Sequence, residues 1–342
     1  MKVLKKAFFA FLLCVLTCGF SLFGCVARTE DITVYIPDGA PSLAFAKMMQ
    51  EDTQTDGVCY RVVSANVIAT KVTNDDDDKN ADLCVLPVTA ASKLLGSGEK
   101  YRMIGTVTNG NLYILSNDET VYTKDNLSAL IGKTVGVLQI NQVPGLTFKA
   151  VLNRNGIAWQ EWRSDVEKAD DKVNLKGITD ANSIGMDGAD CYVIAEPAVS
   201  AQVAKKGLHI VGDLQELYAT ENGETGYPQA VLVAKNETLS QKMEWVKEFL
   251  LQLKQSIASL TEMSAADVYS AVTSHIEDKG YQTTLKQPFL TAEVFARCRI
   301  GLTQAKDCSL RVDEFLAEMV AVNPQATRLA DQAFYDKTDF LG

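Results

Sequence analysis

Histidine is almost missing from this sequence. His209 and His275 are the two present, and no two of Cys59, Cys84, Cys191, Cys298 and Cys308 stand at a metal-ligand spacing, so no zinc site, metal or cofactor is expected. A surplus of positive charge is missing as well. Lys and Arg number 33 against 43 Asp and Glu, a net −10, which argues against a nucleic-acid partner. No nucleophile stands beside a base in a recognisable motif, and no enzymatic activity is expected. The acidic tract Asn74-Asp75-Asp76-Asp77-Asp78-Lys79 lacks the glycine and terminal glutamate of an EF-hand loop, and reads as a solvated turn.

What is present begins with an address. Met1-Lys2-Val3-Leu4-Lys5-Lys6 is basic and residues 7–16 are almost wholly apolar, too short a run for a comfortable membrane span, so residues 1–24 read as a secretory leader. Leu22-Phe23-Gly24-Cys25 resembles a bacterial lipobox, with Phe23 atypical at the second position. That resemblance implies cleavage before Cys25, acylation of its sulfur and amino group, and tethering without spanning, in the cell envelope. Cleavage elsewhere, as by a plain secretory signal, is the alternative. Loss of Lys2, Lys5 and Lys6 with the leader takes the formal charge from −10 to −13. Five cysteines then remain besides Cys25. Cys84 and Cys191 sit in apolar runs as small hydrophobes, while Cys298 and Cys308 flank a short loop and are either bridged or free.

At 342 residues, 47% of them apolar, the chain is long enough for about two domains. Ile32-Thr33-Val34-Tyr35-Ile36 alternates like a strand, Pro37-Asp38-Gly39-Ala40-Pro41 breaks it, and Leu43, Phe45, Ala46 and Met49 recur at helical spacing, with Ser42 at the N-cap or in the first turn. The pattern returns a hundred residues later. Thr134-Val135-Gly136-Val137-Leu138 is a second strand, residues 139–145 a polar loop, and Leu146, Ala150, Val151 and Leu152 begin a helix. A further pair is mirrored: Asp82, an apolar strand, Pro87 and a helix, then Asp190, an apolar strand, Pro197 and a helix. Strand-loop-helix junctions leave backbone N–H groups facing a crevice, so two lobes around one site are expected. The expected division is residues 25–115 plus 229–342 for lobe one and 116–228 for lobe two, with hinges near Ser116-Asn117 and Pro228-Gln229. Residues 124–131 and 179–182 read as helix or helix start, and helices are expected over 239–260, 265–276, 292–297 and 310–322.

Taken together, in this order, these motifs resemble those of ABC-transporter substrate-binding proteins of the two-lobed type, in the branch with alkanesulfonate, nitrate and thiamine-pyrimidine binders. The resemblance implies an α/β periplasmic-binding-protein type 2 fold, two lobes joined by two hinge strands, acting as a monomer. It implies a cleft built from Asp38, Gly39, Ala40, Pro41, Ser42, Val88, Thr89, Ala90, Asn109, Gly110 and Asn111 on one side. On the other it implies Gln139, Asn141, Gln142, Gly145, Thr147, Glu196 and Tyr227. Bland readings stand beside these: Gly39 and Gly145 make turns, Glu196 stabilises its helix, Tyr227 packs. The implied partners are a small-molecule solute, ABC permease subunits, and the membrane through the lipid. Asp38 and Glu196, with no Arg or Lys in these loops, favour a neutral or partly cationic organic ligand, and replacing both with alanine is expected to weaken binding while leaving the fold intact. A surface lipoprotein that binds a protein partner, or a thiamine-pyrimidine-type enzyme relative, is the alternative.

Overall fold

The computed structural model describes residues 32–51, 57–179, 183–186, 188–219 and 224–342. The leader, Cys25 and the helix start expected at 180–182 lie outside them. The chain runs β1 (Ile32–Pro37), α1 (Ala40–Ala44), α2 (Ala46–Glu51), β2 (Val58–Val63), β3 (Leu83–Pro87), α3 (Val88–Leu95), β4 (Tyr101–Thr108) and β5 (Leu112–Ser116). There follow β6 (Thr134–Leu138), α4 (Val143–Arg154), β7 (Trp159–Glu161), β8 (Val173–Ile178), β9 (Cys191–Ala195), α5 (Ala198–Lys206), β10 (His209–Asp213) and α6 (Leu214–Leu217). The last part is β11 (Ala230–Lys235), α7 (Asn236–Gln241), α8 (Met243–Ser259), α9 (Ala265–Ser274), α10 (Ala292–Arg297), β12 (Ile300–Gln304) and α11 (Ala305–Val322).

These strands form two mixed six-stranded sheets, β12-β4-β11-β3-β1-β2 and β10-β5-β9-β6-β8-β7, each flanked by helices: two α/β lobes. The apolar runs of β3 and β9 are buried because helices cover both faces of each sheet. The acidic residue that introduces each run has the same task twice. Asp82 accepts the Thr33 amide at 2.8 Å, and Asp190 accepts the Thr134 amide at 2.8 Å, pinning the neighbouring strand in register. The mirrored motif is therefore a repeated structural device.

One expectation needs correction in how the chain passes between sheets. Residues 112–116 pair with β9 and β10, so β5 belongs to the second sheet and the crossing lies at residues 109–111, not at Ser116-Asn117. The helical run after β1 divides at Phe45 into α1 and α2, and Ser42 lies inside the first turn, one of the two places expected for it, its hydroxyl donating to the Gly39 carbonyl at 2.8 Å. Residues 124–131 hold a single 3₁₀ turn, Leu127–Leu130, in place of the expected helix, while β8 and β12 are strands outside the expected elements.

Burial separates the two faces of the molecule. On one face a single apolar cluster runs through both lobes, with Leu86 and Val233 from the first sheet, Phe315 of α11, and Tyr218, Leu146 and Val137 from the second. Helix α11 joins them by packing on β4, α3 and α4. On the other face the lobes keep separate cores, one with Phe45, Leu250 and Cys298, the other with Tyr113, Ile194 and Val199. This also decides the cysteines. Cys298 and Cys308 are free thiols, because β12 lies between them in the chain and delivers them to opposite faces of the first sheet.

Candidate functional site

Register brings the candidate loops to one seam. β4 is antiparallel to β11 and β11 to β3, so β1, β3 and β4 point the same way, toward the crossing at residues 109–111. In the second sheet Leu112 pairs with Ala195, placing the C-terminal ends of β9, of its parallel neighbour β6 and of β8 beyond it on the side of that same crossing. The junctions after β1, β3, β6 and β9 therefore all open on the seam between the lobes.

The residues at these junctions divide into filled and open groups. Asp38 is buried, and its carboxylate already has four donors: Tyr281 Oη at 3.0 Å, Thr283 Oγ1 at 2.6 Å, the Thr284 amide at 2.6 Å and Thr284 Oγ1 at 2.7 Å. Burial first, and the Asp38 charge second, push the Tyr281 phenol above its ordinary value, so it stays a donor. Ala40, Ser42, Val88 and Thr89 are buried beside it or at the next junction, with the Val88 amide donating to Gln229 O and Thr89 O accepting from Thr327. Pro41 and Ala90 are half-buried.

Glu196 is filled in the same manner, but from the other lobe. Its side chain is 0% exposed, accepting from Ser200 Oγ and Arg297 Nε, each at 2.7 Å, while the Ser200 amide donates to its second oxygen at 3.2 Å. Glu196 thus occupies the N-terminal amide of its own helix, α5. Burial, the largest single influence, works against the Arg297 charge, yet the bonds and charges of Glu196 and Glu293 together outweigh it and hold the guanidinium above its usual range. Tyr113 Oη donates to Arg297 O at 3.0 Å, and the Asn111 side chain donates to Glu196 O at 2.8 Å.

The crossing residues form a packed knot. Tyr227 is fully buried, donates to Gln215 Oε1 at 3.0 Å and stacks on Phe315 with ring centroids 5.6 Å apart; burial pushes its phenol far above the ordinary range. Gln215 also holds Leu112 N and O. Gly110, at φ +94°, has room for nothing larger, since a Cβ there would stand 2.8 Å from Gln215 Cγ. Asn109 is half-buried and donates to Gly301 O at 3.3 Å.

The start of α4 is the open part. Asn141 and Gln142 are exposed and Gln139 is half-buried, all with uncharged amide side chains. Behind them Gly145 and Thr147 are buried in the helix, and Thr147 Oγ1 has no hydrogen-bond partner. A cavity of about 790 Å³ lies elsewhere, at the outer edge of β2 beside Cys59, Arg61 and His275, and holds none of these residues.

No protein-family model and no curated protein matches the sequence. Solved structures match over most of the chain. An ABC transporter from Parabacteroides distasonis superimposes with a TM-score of 0.68 at 20% identity, covering 91% of this chain and 100% of its own. The periplasmic aliphatic sulphonate binding protein SsuA of Escherichia coli gives 0.64 at 15% identity, over 92% of this chain and 94% of its own. The alkanesulfonate-binding protein SsuA of Xanthomonas axonopodis pv. citri, bound to MOPS, gives 0.55 at 14%, over 90% and 96%. The chain has the fold of these two-lobed binding proteins.

In that fold the polar part of the seam is carried by arginines that sequence reading passed over. Besides Arg297, Arg299 reaches Glu216 at 3.0 Å and Thr225 Oγ1 at 2.9 Å, and Arg311 donates to Thr225 O and Gly226 O, both at 2.7 Å. From the second lobe Arg154 bonds Glu318 of α11 and lies 4.2 Å from the Tyr218 ring centroid. Burial raises the Asp213 carboxyl above the usual range, with Arg299 at 3.6 Å pulling the other way. None of these has a local signal: Arg297 is 101 residues from Glu196.

Proposed function

We propose that this chain is an exported solute-binding protein that captures a small organic molecule between its lobes and delivers it to an ABC permease. The observation that carries the reading is the convergence of four strand-to-helix junctions on one seam in a fold shared with proteins described as sulphonate binders. The charge argument from sequence changes with the geometry. Asp38 and Glu196 are both satisfied internally, so neither calls for a cation, and the open loop at 139–142 offers neutral amides. A neutral, polar ligand fits this best. Binding would add contacts made in the closed form alone and shift an open–closed equilibrium, with about 5.5 kcal/mol of differential affinity moving it from 1:99 to 99:1.

Thermal unfolding of the protein from Val26 onward, against thiamine pyrimidines, alkanesulfonates, nitrate, bicarbonate and amino acids, tests this. A ligand at a hundred times its dissociation constant should stabilise by about 2.7 kcal/mol, a rise of a few degrees. No shift for any compound, after refolding to strip bound ligand, would favour a lipoprotein that binds a protein partner. Anchoring is tested separately: Cys25→Ser should move the protein from the membrane fraction to the soluble one, and a variant that stays with the membrane would remove Cys25 from that role.

A further inference from the structure

The two faces of the seam are joined by different physics. On the α11 face the apolar core is continuous from lobe to lobe, with Phe315 packed on both Tyr218 and Tyr227, so separating the lobes there would expose aromatic surface. On the opposite face the cores are separate, and what spans the gap is polar: Arg297 Nε to Glu196, Arg297 Nη2 to Ser200 Oγ at 2.8 Å, and Tyr113 Oη to Arg297 O. Arg297 ends α10 on the first lobe, while Glu196 and Ser200 begin α5 on the second. Such a contact is short in range and lost over a small displacement, whereas the packed face can only roll.

We propose that Arg297, Glu196 and Ser200 form a latch that holds the lobes together in the ligand-free protein, with the α11 face as the axis about which they open. The carboxylate supplies the cross-lobe bond and, by taking the Ser200 amide, fills the anion position at the start of α5. Arg297 is kept aimed by Glu293, a residue one helical turn before it that bonds its other nitrogen. Tyr113 holds the Arg297 carbonyl and the next residue, Cys298, is buried in the first-lobe core. Opening on this face then means breaking the Arg297–Glu196 ion pair, whose carboxylate is fully buried, together with the bonds from Arg297 to Ser200 and from Tyr113 to Arg297 O, and their combined strength sets how much of the protein stands closed before any ligand arrives. The proposal rests on the cross-lobe geometry and holds whatever molecule the cleft takes.

Energy transfer between dyes on azide-bearing residues, introduced at the exposed positions Lys206 of α5 and Lys254 of α8, reads the gap on the latch face. The full ligand-free chain is used, so failure of the solute-binding reading leaves the result standing, and the converse. The unaltered latch should give one narrow, high-efficiency population. Arg297→Met should give a lower mean efficiency and a broader distribution, while Arg154→Met, on the packed face, should leave the distance unchanged. Glu196→Gln keeps the shape and the bond to Ser200; it should open the gap too, and decides the matter if Arg297→Met does not fold. The same efficiency in folded Arg297→Met or Glu196→Gln as in the unaltered protein would overturn the latch.

Discussion

Asp38→Ala should destabilise the protein by about 3 kcal/mol, a fall of roughly 5 °C in the melting midpoint. Four donors converge on that carboxylate, from Tyr281, Thr283 and Thr284, and the Thr283 hydroxyl is buried with it. Removing the acceptor strands those donors, and a bond to a charged group is worth more than a neutral one. The segment that supplies them lies more than 240 residues away in the chain, so Asp38 fastens it against the end of β1. Asp38→Asn retains one acceptor oxygen and should cost less. A melting midpoint within a degree of the parent for Asp38→Ala would show that the four bonds contribute nothing net. The same reasoning reverses the expectation for the Asp38 and Glu196 double alanine variant: it should lose stability, so weakened binding by it would not place either residue on the ligand.

A second large effect is expected at Gly145. A Cβ there would lie 2.0 Å from the Ile140 carbonyl oxygen and within 2.4 Å of other Ile140 backbone atoms. Because the obstacle is backbone, relief requires moving either the loop at 139–142 or the first turn of α4. Gly145→Ala should therefore cost about 3 kcal/mol, with the urea midpoint falling and the slope unchanged. A cost under about 1 kcal/mol would show that the loop shifts freely. The prediction bears on function, because this glycine lets the open amide loop fold back onto the start of its helix.

How much of this was legible beforehand depends on distance along the chain. The strands at residues 32–36, 134–138 and 191–195 and the helix at Ala292–Arg297 were readable, since alternation, apolar runs and helical spacing act over a few residues. So was the mirrored acid-strand-proline-helix pattern, although its task, holding the Thr33 and Thr134 amides, emerged only from strand neighbours. β12 is a short edge strand with two apolar residues, Ile300 and Leu302, too few to stand out as a strand in the chain. The crossing was placed at Ser116 rather than 109–111 because a strand's sequence does not say which sheet it joins.

The sequence by itself determined the two-lobed pattern of junctions, since each junction is a local matter of apolar runs, turn residues and helix starts. The tertiary structure alone decided what those junctions offer. Asp38 and Glu196 look like free carboxylates in the chain, and their charge is spent on Thr284, Tyr281, Ser200 and Arg297, some of them a hundred or more residues distant. Hydrogen bonds act over about 3 Å, and only folding sets which distant groups come that close.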